Sequence, residues 1–89
     1  MPEITATIHH EVGLHARPAS MFVQTAAKYS SDIEVTHGET TANAKSILGI
    51  LTLGAHQGAL ITIRAEGEDA DEALKTLELL VLDNFGEDK

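Results

Sequence analysis

The residues best suited to chemistry are concentrated in Gly13-Leu14-His15-Ala16-Arg17-Pro18-Ala19-Ser20. His15 stands directly before a helix start marked by Pro18, since a proline in the first helical turn gives up an N–H that has no intrahelical partner. The free N–H groups of that turn point outward and, with the helix dipole, favour an anion. Arg17 adds a planar, permanently charged set of donors beside the same spot. An imidazole that titrates near ~6.5 when unperturbed is partly neutral, and so nucleophilic, at cellular pH. A helix N-terminus pushes that equilibrium further toward the neutral form. These parts describe a histidine able to accept a phosphoryl group whose oxygens are met by backbone donors and by Arg17. A lone histidine beside a helix start is more often a surface or capping residue; the arginine two positions on, with proline next, shifts the balance toward function.

Two other chemistries compete. Five histidines (His9, His10, His15, His37 and His56) are many for 89 residues, yet none is spaced as a helical i, i+4 pair and there is no cysteine. No metal and no cofactor are therefore expected. A hydrolase could draw on Ser20, His15 and a carboxylate, but no Gly-x-Ser-x-Gly elbow is present and so short a chain leaves little substrate pocket.

The elements that must position His15 follow from hydrophobic spacing. Ile4, Ala6 and Ile8 alternate with Glu3, Thr5 and Thr7, the period of a half-buried strand. From about Ala16 to Tyr29 the spacing is helical, with Ala19, Phe22, Val23, Ala26 and Ala27 on one stripe and Ser30-Ser31 at its end. Ile33 and Val35 mark a second strand, and His37-Gly38-Glu39 a tight turn into a short third strand over Thr40 to Asn43. Ser46 occupies an N-cap position before Ile47 to Leu53, with Gly54 as a left-handed stop. A fourth strand spans about Leu60 to Ala65. The last helix, Asp69 to about Phe85, buries Ala70, Ala73, Leu74, Leu77, Leu80, Val81 and Phe85 and crowds acids into its first turn.

The order βαββαβα predicts an α+β open-faced β-sandwich, a four-stranded antiparallel sheet covered on one face by three helices. One domain over 1–89 is expected. The middle helix breaks the amphipathic pattern. Ile50 and Leu53 can share its inward face, which leaves Ile47, Leu48 and Leu51 pointing outward, either under a neighbouring loop or as an apolar docking patch for a partner protein.

Composition narrows the partners. Fourteen acidic against six basic residues give a net charge of -8, and aromatics are only 3%, so neither nucleic-acid backbone nor single-stranded bases suit this surface. From Glu66 onward nine acids face two lysines, whereas the first 65 residues are close to neutral. A solvated acidic helix accounts for that asymmetry. No apolar run is long enough to cross a bilayer and no signal-like N-terminus is present, so a soluble, cytoplasmic protein without membrane insertion is expected.

Gly13-Leu14-His15-Ala16-Arg17-Pro18-Ala19 resembles the active-site signature of the HPr family, the histidine-containing phosphocarriers of bacterial phosphoenolpyruvate–sugar phosphotransferase systems. Lys45-Ser46-Ile47-Leu48-Gly49 resembles the family's second signature at the expected distance, and the likeness in length and element order spans essentially the whole chain. The resemblance implies a carrier rather than an enzyme. His15 would be phosphorylated on Nδ1 by phosphorylated Enzyme I and would pass the group to IIA domains or proteins. Arg17 would balance the phosphate charge, and the backbone at Ala16 and Arg17 would donate to its oxygens. Ile47, Leu48 and Leu51, with Ala16, Arg17 and Ser20, would form a docking face shared by successive partners.

Ser46 carries a second implication. In some members it is phosphorylated by an HPr kinase/phosphorylase; about two negative charges there would weaken Enzyme I docking and favour a catabolite-control transcription regulator. A monomer is expected. This chain departs from the family at Val12, where Ser or Asn is common, and at Gln24 and Ala27, which make the docking rim less cationic; His10 is an additional titrating neighbour. A nitrogen-related or dihydroxyacetone-kinase carrier would keep the same chemistry with other donors. An interaction-only paralogue would use the apolar face alone and would not need His15 with Arg17.

Overall fold

The computed structural model describes residues 2–9, 16–83 and 85. Its elements are β1 (Glu3–Thr7), α1 (Ala16–Ala26), β2 (Asp32–His37), β3 (Thr40–Asn43), α2 (Ile47–Thr52), β4 (Leu60–Glu66) and α3 (Ala70–Leu82), in the βαββαβα order expected. The strands form one sheet in the order β1-β4-β2-β3, and every neighbouring pair is antiparallel. β1 and β2, which flank β4, therefore run parallel, as do β3 and β4 on either side of β2. Parallel strands cannot be joined by a tight turn, so α1 and α2 ride on the two crossovers. Among the described strands only β2 and β3 form a hairpin. Gly38 supplies a φ of +63° at the first central position of its two-residue turn, between the paired His37 and Thr40.

Alternation along the strands sorts the side chains. Ala6, Ile33, Val35, Ala42, Ile61, Ile63 and Ala65 are buried, with Ile4 packed beside them, while Glu3, Thr5, Asp32, Thr41 and Glu66 are exposed. The register keeps like with like. Ile4 and Val35 both lie opposite Ile63, and Glu3 and Glu34 both lie opposite Arg64. A slip of one residue would turn the whole apolar set into water. Helical residues complete the core: Ala19, Phe22 and Ala26 from α1, Ile50 from α2, and Ala70, Ala73, Leu74, Leu77 and Val81 from α3.

Three details differ from the sequence expectation. α1 ends at Ala26 rather than Tyr29, because Lys28 and Tyr29 donate to carbonyls three residues back and tighten the last turn; Ala27, placed on the buried stripe, is exposed. Leu80 is half-buried at the edge of the α3 face. Asp69, expected as the first residue of the last helix, precedes α3 and makes no side-chain cap. Its carboxylate instead accepts from the backbone N–H groups of Ser30 (2.9 Å) and Ser31 (3.0 Å) and from both hydroxyls. These donors, led by the Ser31 hydroxyl, hold the Asp69 pKa down at about 2. The contact joins the chain leaving α1 to the start of α3.

Phe85 follows α3 with a φ of +58°, a conformation that disfavours a bulky residue, and its ring is fully buried. Burial of the ring offsets the backbone cost, so Phe85 extends the apolar face of α3 beyond the helix itself.

Candidate functional site

His15 lies outside the described residues, as do His10 and Val12. The described chain continues at Ala16, where α1 begins, so His15 directly precedes the helix in sequence. Pro18 is fully buried in the first turn and Arg17 is exposed there. That first turn contains no acidic residue, so no carboxylate of the helix competes with a bound anion for its positive end. Steps of three and four place Arg17, Ser20, Met21 and Gln24 on one face, turned away from the buried Ala19, Phe22 and Ala26. The Gln24 side-chain amide donates to Ser20 Oγ at 3.0 Å.

α1 packs against α2, which presents the second signature. Ser46 is its N-cap in extended conformation, with Oγ accepting from Gly49 N at 3.1 Å and its carbonyl accepting from Ile50 N at 3.0 Å. Asn43 leads the chain into this cap: its side-chain oxygen accepts from Lys45 N (2.8 Å) and its carbonyl from Ser46 N (3.0 Å). Lys45 Nζ donates to the Tyr29 carbonyl at 2.7 Å and ties the turn to the end of α1. A Cβ on Gly49 would stand 3.3 Å from both Ala42 Cβ and Ser46 Oγ, so glycine here permits the close approach of α2 to β3.

Six residues of helix cannot hide four large aliphatic side chains, with a fifth, Leu53, at the C-cap. Ile50 and Leu53 are buried, whereas Ile47, Leu48 and Leu51 are 38%, 73% and 37% exposed. Met21, 39% exposed on neighbouring α1, is a further apolar residue that the sequence reading left out. Its spacing of four from Arg17 was the available signal.

His37 is the other residue missed. Its Nδ1 lies 2.8 Å from the Leu53 carbonyl at the end of α2, and since a carbonyl can only accept, Nδ1 carries the proton. The His56 ring stands edge-on to it, with centroids 6.2 Å apart. Tertiary structure thus pairs two of the five histidines, but among the described residues no group of three or more His, Cys, Asp or Glu side chains is placed to hold a metal. No described helix is long and apolar enough to cross a membrane.

A helix start preceded by histidine and bearing an exposed arginine, beside a short helix with aliphatic side chains in water, fits a protein that handles an anion while docking to others. Comparison with known proteins narrows that class. The family model for the PTS HPr component phosphorylation site matches residues 2–83. The phosphocarrier protein HPr of Mycoplasma capricolum subsp. capricolum is 40% identical over 83 residues, 93% of each chain. The crystal structure of HPr-C-His from Thermoanaerobacter tengcongensis superposes with a TM-score of 0.95 at 49% identity, covering all of both chains. That of an HPr from Bacillus anthracis gives 0.84 at 42% identity over 88% of this chain and 93% of the other. The chain belongs to the HPr family, the phosphocarriers of the phosphotransferase system.

Proposed function

We propose that this protein carries a phosphoryl group on Nδ1 of His15, accepting it from phosphorylated Enzyme I and delivering it to IIA domains or proteins. The observation that supports this most directly is the start of α1 at Ala16, within the span matched by the family's phosphorylation-site model. The lone pair of the neutral ring nitrogen attacks phosphorus as the P–N bond of the donor breaks, and the reverse step discharges the carrier. The chain supplies positioning and electrostatics: the N–H groups at Ala16 and Arg17 and the Arg17 guanidinium meet the phosphoryl oxygens. It works as a monomer, and it is a carrier rather than a self-contained catalyst.

Ile47, Leu48 and Leu51, together with Ala16, Arg17, Ser20 and Met21 of α1, form the face on which successive partners dock. A small, partly polar face suits complexes that must form and separate repeatedly. Phosphorylation of Ser46 by an HPr kinase/phosphorylase would place about two negative charges at the edge of that face, weakening Enzyme I docking and favouring a catabolite-control regulator. The test is incubation with phosphoenolpyruvate and Enzyme I. His15→Ala is expected to abolish acid-labile labelling while leaving the circular-dichroism spectrum unchanged; retained labelling in that variant would move the acceptor elsewhere.

A further inference from the structure

α2 is weakly anchored for a helix that has to present a docking face. It is six residues long, far below the length at which a helix holds itself together in water. Three of its four large side chains are exposed, so only Ile50, with the adjoining Leu53, is fully in the core. Its ends must then be fixed by polar contacts, because terminal N–H and C=O groups otherwise lack partners. At the N-terminal end Ser46 does this locally. Near the C-terminal end Thr52 Oγ1 donates to the Gly49 carbonyl at 2.7 Å, and Gly54, with φ at +64°, turns the chain away. The Leu53 carbonyl is met from outside the helix, by His37 at the end of β2.

Resting on the carrier reading given above, we propose that His37 is a positioning residue for phosphoryl transfer: its Nδ1–H bond to the Leu53 carbonyl fixes the C-terminal end of α2 and thereby the orientation of Ile47, Leu48 and Leu51. The residue is well suited to this. It belongs to the sheet rather than to a loop, its backbone is held in the β2–β3 pairing opposite Thr40, and its ring is half-buried with His56 edge-on against it. A donor mounted on a strand transmits the position of the sheet to the helix. Loss of the bond lets the last turn of α2 open, and the cost falls on partner binding because α2 carries the exposed Ile47, Leu48 and Leu51.

Two variants of the full chain test this. His37→Phe keeps a ring but removes the donor, and His37→Asn places an amide N–H close to the position of Nδ1. In phosphoryl transfer from phosphorylated Enzyme I, His37→Phe is expected to raise KM about fivefold with kcat within about twofold of wild type, the size of effect that one net hydrogen bond supports. His37→Asn is expected to bring KM back to within about twofold. Amide exchange supplies a readout that needs no partner: in His37→Phe, Ile50 and Leu53 exchange faster while Ile61 and Ile63 of β4 do not. An unchanged KM for His37→Phe, an Asn variant as impaired as the Phe variant, or exchange that rises equally in β4 would each overturn the proposal. A wild-type chain that takes no phosphate from Enzyme I would overturn the carrier reading, and the exchange comparison would still decide whether His37 positions α2.

Discussion

At the scale of single residues, the chemistry proposed here needs a neutral imidazole, outward-facing amides and a fixed cation, and these fall within three consecutive positions, His15 to Arg17. Arg17→Ala is expected to lower kcat/KM for transfer about tenfold or more, since a guanidinium on a phosphoryl group is a charge-assisted contact that Ala cannot replace; steady-state kinetics with Enzyme I checks this. Asp69 makes a separate expectation about pH. Its folded pKa, about 2, is below the ordinary 3.8, so the ionised form is favoured by folding. The stabilisation is fully present above pH 3.8 and is lost as pH falls through about 2. Thermal melts should therefore show an acid-side loss of stability that Asp69→Asn, already lacking the charge, does not share. Arg17 could be read from the motif. The Asp69 contact could not, because it joins residues nearly forty positions apart and local sequence offered only an acid in the first turn of a helix.

Elements were legible where hydrophobic period and punctuation agreed. β3 runs over the span expected, Thr40–Asn43, because Gly38 and the Asn43 turn bound it on both sides. The end of α1 was not, since Ala27 is a good helix former and nothing local forbids another turn; the Lys45 contact to the Tyr29 carbonyl and the Asp69 contacts to Ser30 and Ser31 are tertiary. α2 shows the opposite case. Its excess of aliphatic residues looked inconsistent with a core helix, and the structure leaves the three surplus side chains in water. Ser46→Ala should cost about 1 kcal/mol of stability through loss of the N-cap, measured by urea denaturation. Leu48→Asp should leave stability nearly unchanged, since Leu48 is 73% exposed, yet raise KM for Enzyme I several-fold.

For the molecule as a whole, charge is unevenly placed along the sequence. Nine acids lie from Glu66 onward, whereas the two signatures lie within the first 65 residues, which carry five acids against four basic groups. The packing that holds α1, the sheet and α3 together is tight at Gly67. A Cβ there would stand 2.5 Å from Ser31 Oγ and 2.8 Å from Ser31 Cα, at a φ of +149° that side chains rarely adopt. Gly67→Ala should consequently displace Ser31, disturb its bonds to Asp69 and lower the melting temperature by several degrees, visible in a calorimetric scan.

The location of the phosphate decides whether the chain is a His15 carrier. Five histidines and Ser46 are all conceivable acceptors in this chain. The decisive measurement is site mapping after incubation with phosphoenolpyruvate and Enzyme I, by phosphorus–nitrogen correlation NMR on the intact protein. One acid-labile phosphate on Nδ1 of His15 is the expected result. Phosphate on His9, His10, His37 or His56, or an unmodified His15 after full turnover of Enzyme I, would contradict it.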